Sequence, residues 1–461
     1  MEYKIAFGTS GWRERMDTEF KEENVLRVAH GIGRYLQKEN KAGTVVIGFD
    51  TRKNSSIFAE KVAGIISGFG YETLLSDAPC PVPALEFHVR RMKAIAGVMV
   101  TASHNPKIYN GIKFIPYYGA PAYKEITDAI EQVIPSGKVE PVAYNKKLIS
   151  IKPDYLKSLE ASLDLGKIKD MHIIVDVLYG TGAGYLSSLL SDAGAEVKEI
   201  HSKPDSDFGG LSGPNPTEET LKELVALVKK ENADLGISND GDADRCALVD
   251  RNGMYYSPNE IGLILCDYAF GLKGIDGDVV KTVATTSALE RLSKKFGVRC
   301  VETPIGFKYL AKEIQHGAAI GIEGSGGVGL GWWLPDRDGI AVGATICEAL
   351  SVQKLALDQL WKKVAHDYNY GTFITYDLPK DGKLERSINA LKENEAMIEL
   401  GGIKIARRSY MDGVKLIMED GSWVLVRNSG TEPIVRVYIE SDKVGKVNAL
   451  RAAMDSFLGI K

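Results

Sequence analysis

Four short segments of this chain carry residue types whose spacing can do chemistry. The first is TASHNP, residues 101–106, directly after the apolar run AIAGVMV. A polar loop at the carboxyl end of a strand in an open α/β sheet is where ligand sites usually lie. Ser103 is the candidate nucleophile, with His104 beside it and Asn105-Pro106 fixing a turn. By itself the segment reads equally well as a strand-closing turn, and it is not the G-x-S-x-G elbow of a hydrolase.

The second segment is DGDADR, residues 240–245, between the apolar stretches ADLGIS and CALVD. Asp240, Asp242 and Asp244 alternate along it, so a tight loop can converge them on one ion. Three hard carboxylate oxygens select Mg2+, Mn2+ or Ca2+ over zinc. An EF-hand loop would need Gly and Glu where this chain has Arg245 and Arg251. A solvated acidic turn is the plainer alternative, but three acids flanked by buried strands repel one another unless a cation is present.

The third is IEGSGG, residues 322–327, where Glu323 and Ser325 offer hydrogen bonds in a glycine-lined loop suited to a polyhydroxylated ligand. Trp332 and Trp333 follow; packing is a commoner fate for tryptophan than stacking on a sugar. The fourth is RNSGTEP, residues 427–433. Arg427, Ser429 and Thr431 surround Gly430, with Arg436 just beyond, and such donors can form an anion nest. It lacks the Walker lysine, and its plain reading is a hairpin turn. GTGAG at 180–184 is not G-x-G-x-x-G and reads as a βα turn.

The elements that must position these loops form a weak repeat. Val45–Phe49, Ile173–Val177 and Val279–Val283 each start a strand, turn, helix, glycine, strand passage. The glycines are Gly70, Gly194 and Gly297. Continuous apolar strands fit a parallel sheet covered by helices on both faces. From about Gly371 strands outnumber helices, which marks an α+β unit. The expected architecture is three similar mixed α/β domains in series plus a smaller α+β C-terminal domain. The expected boundaries are 1–145, 146–254, 255–370 and 371–461.

Composition narrows the partners. Fifty-seven Lys plus Arg against 61 Asp plus Glu gives a net charge of −4, too balanced for a nucleic-acid or polybasic membrane partner. The most apolar run, residues 261–270, is short and carries Asp267, and the N-terminus has no signal-peptide core. Five scattered cysteines form no CxxC pair. A cytoplasmic protein with reduced thiols is expected; the sequence leaves its oligomeric state open.

TASHNP, DGDADR, the Glu-x-Ser-Gly loop and RxSGTEP, in that order, resemble the α-D-phosphohexomutase superfamily. GTSGWR (8–13), NGIKF (110–114) and TPIGFK (303–308) match further blocks of it, so the resemblance spans the chain. It implies four domains around a central cleft, a phosphorylated Ser103, and a Mg2+ held by that phosphate with Asp240, Asp242 and Asp244. Arg13, His104, Lys113 and Arg245 match positions around the transferred phosphoryl group. Glu323 and Ser325 match the sugar readers, and Thr303, Gly306 and Lys308 fall in a substrate-binding block. Arg427, Ser429, Gly430 and Thr431 match the loop holding the non-reacting phosphate, with Arg436 beside it.

Phosphoserine brings about −1.5 to −2 charge. Three aspartates add more than one Mg2+ can offset, so Arg13, Lys113 and Arg245 have an electrostatic role. The implied reaction is a reversible mutase passing through a hexose 1,6-bisphosphate, which also serves as primer. Lys113 or His104 is the candidate base, the lysine with a depressed pKa if it serves. TPIGFK resembles the glucose-preferring branch, with mannose phosphates as a second substrate. The sugar loop departs from the family at Gly324 and Gly327, where larger residues are common. Phosphoglucosamine mutase is the alternative; a metal-dependent sugar phosphatase and a silent sugar-phosphate binder are the rivals from other classes.

Overall fold

In each βαβ passage the helix ends just before a glycine whose φ is left-handed: 89° at Gly70, 98° at Gly194 and 70° at Gly297. Such a φ strains any side chain, so glycine returns the chain toward the sheet cheaply. A computed structural model describes residues 3–8, 10–394, 396–429 and 434–460. In it the three passages are Thr44–Phe49, Ser55–Gly68 and Glu72–Ser76; His172–Asp176, Leu186–Asp192 and Glu196–Ile200; and Val279–Thr282, Ala288–Phe296 and Cys300–Thr303.

Each passage contributes two parallel strands, and a third parallel strand follows on the other side: Ala96–Val100, Leu235–Asn239 and Ile320–Glu323. Each third strand then turns into an antiparallel partner, Tyr109–Pro116, Cys246–Asp250 or Gly327–Leu330. TASHNP, DGDADR and EGSG are these three turns. The chemistry-bearing loops thus hold one topological position in three sheets. Leu148–Ile149 adds a last strand to the first sheet, beside Glu72–Ser76.

The fourth sheet is antiparallel throughout and runs from Thr372–Pro379 at one edge to Glu399–Leu400 at the other. Helices Gly382–Glu393 and Val444–Leu458 cover it; the first of these has no counterpart in the sequence reading. Trp423, Leu425 and Tyr438 of this sheet pack on Val283 and Ala284 of the third unit. Lys415 Nζ donates to Val283 O at 2.8 Å and Glu302 at 2.7 Å, while Glu440 accepts from Thr286 and Ser287. The seam joins apolar burial, which stabilises by about 1.5–3 kcal/mol per large side chain, to buried charges that are paired.

Trp333 stacks on Phe87 at 5.5 Å and donates to Asp338, so its role is packing. Among the described residues no single helix is long and apolar enough to cross a membrane. The apolar helix Gly339–Gln353 is a core element.

Candidate active site at the strand ends

Ser103 follows the all-buried strand Ala96–Val100 and takes a left-handed φ of 52°. Its amide donates to Thr101 Oγ1, and its hydroxyl donates to Asp240 Oδ2 at 2.9 Å. Thus the first loop of one unit touches the acidic loop of the next. Asp240, Asp242 and Asp244 offer one oxygen each within 4.8 Å of one another. All three are 1% exposed or less. Among the described residues, Asp242 Oδ1 and Asp244 Oδ1 are buried without a hydrogen-bond partner. Burial, then Asp244 and Asp242, push the Asp240 carboxyl well above the usual carboxylate range. Three crowded, hard, under-partnered oxygens fit a divalent cation such as Mg2+.

Cations surround this centre. Trp12–Arg15 pairs antiparallel with Tyr109–Pro116, placing Arg13 opposite Gly111. At Gly111 a Cβ would lie 2.6 Å from both Thr101 O and Trp12 O, so only glycine lets the chains approach this closely. Arg13 donates to Asn105 Oδ1 at 2.7 Å. Lys113 Nζ donates to Asp242 Oδ2 at 2.7 Å and Asp244 Oδ2 at 3.2 Å. Burial opposes its charge, but those two carboxylates outweigh burial and hold the ammonium above its ordinary value. This corrects the expectation of a depressed lysine: the partners that make the centre acidic also keep Lys113 protonated.

His104 lies 3.2 Å from Ser103 Oγ through Nδ1 and 3.3 Å from Arg245 Nη2 through Nε2. Burial, then Arg245, Arg13, Arg337 and Lys113, hold the imidazole well below its ordinary pKa, so it is neutral. Arginine has only donors, so Nε2 accepts and the proton is assigned to Nδ1, facing Ser103.

Two groups that the sequence reading missed extend the centre into the other units. Arg337 bonds Asp244 Oδ2 at 2.9 Å and Glu323 Oε2 at 3.3 Å; Glu323 Oε1 accepts from Gly306 N at 2.9 Å. Asp412 accepts from Ile305 N at 2.9 Å through one oxygen and from Arg427 Nε at 3.1 Å through the other. Ser103, the triad, Lys113, Arg337, Glu323, the 305–306 turn, Asp412 and Arg427 therefore form a nearly continuous chain across all four units. The signal for Arg337 was the charged PDRD stretch after the tryptophans; Asp412 gave none.

Arg436 lies directly opposite Arg427 on the neighbouring strand and pairs with Asp377 at 2.6 Å. Ser429 is half-buried, its amide bonded to Ile434 O. Gly430 and Thr431 lie outside the described residues. Three expected residues stand apart from the network. Ser325 is exposed at its turn, Thr303 donates to Lys281 O and Pro304 O, and Lys308 lies over the Tyr309 ring.

A serine loop, an acidic triad and a chain of arginines carried on four units in this order define a phosphohexomutase. Models of the phosphoglucomutase/phosphomannomutase α/β/α domains I, II and III match residues 4–140, 153–253 and 257–368, and the C-terminal domain model matches 380–456. The chain belongs to the phosphoglucomutase/phosphomannomutase family, within the α-D-phosphohexomutase superfamily. It is 32% identical to "Probable phosphoglucosamine mutase" of Methanosphaera stadtmanae, over 98% of each chain. It is 30% identical to "Phosphoglucomutase/phosphomannomutase" of Thermococcus kodakarensis, over 94% of each. Its fold matches the open form of the Paramecium phosphoglucomutase parafusin with a TM-score of 0.87 at 20% identity, covering 100% of this chain and 95% of that one.

Proposed function

We propose that this chain interconverts hexose 1-phosphate and hexose 6-phosphate through phospho-Ser103 and a hexose 1,6-bisphosphate. The observation that carries the reading is the bond from Ser103 Oγ to Asp240, with Lys113, Arg245 and Arg337 ranged about the same acids. Phosphoryl transfer asks mainly for positioning and charge stabilisation, and a buried cation cluster supplies both. Mg2+ held by Asp240, Asp242, Asp244 and the serine phosphate would neutralise charge on the transferring group. The P–O bond to Ser103 breaks as the sugar hydroxyl oxygen bonds phosphorus. His104 Nδ1–H passes its proton to the departing Oγ, and Nε2, once Arg245 turns from it to the substrate phosphate, takes the hydroxyl proton, so the ring ends neutral. Lys113, held charged, and Arg13 steady the phosphoryl oxygens. Glu323 and Ser325 read sugar hydroxyls, Thr303, Gly306 and Lys308 line the sugar path, and Arg427, Ser429, Gly430, Thr431 and Arg436 hold the other phosphate. The four units carry these parts. The first runs past 145 to take in Leu148–Ile149 and the second past 254 to take in Tyr255–Tyr256, which pair in their sheets, and the last division is kept at 370.

Glucose phosphate is the first substrate on the strength of TPIGFK, with mannose phosphate beside it. Glucosamine phosphate is an equal rival, supported by the name of the Methanosphaera relative. The test is conversion of the three hexose 1-phosphates in parallel with Mg2+, with and without a trace of the matching 1,6-bisphosphate, while free phosphate is followed. Bisphosphate-stimulated conversion without phosphate release is expected, and the largest kcat/KM names the sugar. Stoichiometric phosphate release overturns the mutase reading in favour of a phosphatase.

A further inference from the structure

The turn DTRKNSS at 50–56 has no part in the chemistry described above, yet it is one of the most buried polar clusters in the chain. Asp50 and Arg52 are each 3% exposed and Ser55 is fully buried. The Arg52 guanidinium reaches the back of the serine loop and donates to four of its main-chain carbonyls. Nη2 bonds Ser103 O and Asn105 O, both at 2.6 Å; Nη1 bonds Pro106 O at 2.9 Å and Tyr109 O at 3.0 Å. The remaining nitrogen, Nε, faces Asp50 Oδ2 at 3.1 Å. Asp50 Oδ1 is itself fixed by the Arg52 amide and by Ser55 Oγ, and Ser55 Oγ accepts from Asn110 Nδ2 at the far end of the same loop. The Phe208 ring of the second unit lies 5.0 Å from the guanidinium carbon. Nearby, Lys107 pairs with Asp207.

We propose that Arg52 is the positioning residue that holds Ser103 in register for phosphoryl transfer. The proposal rests on Ser103 being the phosphoryl carrier. Buried carbonyls need donors. Here one rigid planar fork satisfies four of them, which the compact ammonium of a lysine cannot do. The clamp also accounts for the left-handed φ of Ser103, a conformation that persists in a non-glycine residue only where its surroundings over-determine it. None of the Arg52 side chain is exposed, so it acts through the loop and not by touching the sugar phosphate.

The experiment compares Arg52→Lys and Ser103→Ala with the wild-type chain. Far-ultraviolet circular dichroism and thermal melting establish folding, kcat and KM are measured for the preferred hexose 1-phosphate, and intact mass follows phosphoryl loading of Ser103 from the 1,6-bisphosphate. The expected result is a folded Arg52→Lys chain with kcat down about 100-fold or more, KM within about threefold, and phosphoryl loading slowed in parallel with kcat. A folded Arg52→Lys chain with kcat within threefold of wild type overturns the proposal, as does a rise in KM with kcat unchanged. If Arg52→Lys does not fold, Phe208→Leu takes its place, because it opens one face of the guanidinium to water and leaves every carbonyl bond. It should lower kcat about three- to tenfold at unchanged KM, and an unaltered kcat there overturns the proposal. Activity retained in Ser103→Ala instead removes the mechanism on which the proposal stands, whatever Arg52→Lys does.

Discussion

His104 sits between a hydroxyl and a guanidinium, and that placement decides what the ring can do. Its folded pKa is held below the ordinary value of about 6.5, first by burial and then by four neighbouring cations. The ring therefore stays neutral as pH falls through 6.5 and protonates only at more acid pH. If Nε2 takes the hydroxyl proton, kcat/KM stays level from pH 8 to below 6.5, and its acid limb begins only beyond that. His104→Asn should lower kcat by about 10²–10⁴ and abolish that limb. A pH–rate profile of the two chains checks both outcomes. An unchanged limb in the variant passes the proton to Lys113, whose two aspartate partners would then have to release it.

Among the elements, the turns matter more than the helices. Two of the four chemical loops stood out because their residue types are costly elsewhere. Three aspartates do not sit between apolar strands without a reason, and Ser-His-Asn-Pro cannot continue a strand. The equivalence of the three turns was also latent in the strand, helix, glycine, strand rhythm. Arg337 had only the charged PDRD stretch to mark it and Asp412 had nothing, because each acts on a residue distant in sequence that only the packed fold brings close. Asp412 is the clearer case. It sits in the turn between Ile403–Ser409 and Val414–Met418, and ties the Ile305 amide of the third unit to Arg427 of the fourth. Asp412→Asn keeps the shape but removes the charge that aligns Arg427. If that arginine grips the non-reacting phosphate, KM should rise about tenfold, roughly 1.4 kcal/mol of binding, with kcat changed by less than about threefold. Steady-state kinetics at saturating primer decide this; an equal fall in kcat would place Asp412 in the transfer step instead.

Across the whole molecule, the site is only as rigid as the seams between its units, and one seam titrates. Glu86, on the helix Val82–Arg91 of the first unit, meets Asp336 of the third beside a small cavity that Lys113 and Arg337 also line. Both carboxyls are buried, at 1% and 2% exposure. Burial first, then each other's charge and that of Asp244, push Glu86 well above the carboxylate range. Burial lifts Asp336 to about 6, against the pull of the adjacent Arg337. The folded seam thus keeps protons that the unfolded chain has released. Its stability is fully present below the unfolded values of about 4, and is lost as pH rises through 6 and onward to the Glu86 value. Glu86→Gln fixes that side neutral while its amide can still donate to Asp336. At pH 8 the variant should melt about 2–4 °C above the wild-type chain, the shift that ~1 kcal/mol gives a unit of this size. At pH 4.5 the two should melt together. Thermal melts across that range test the sign. A variant destabilised equally at both ends would mean that Glu86 works as an anion for Lys113, and that the first and third units are joined by charge and not by a shared proton.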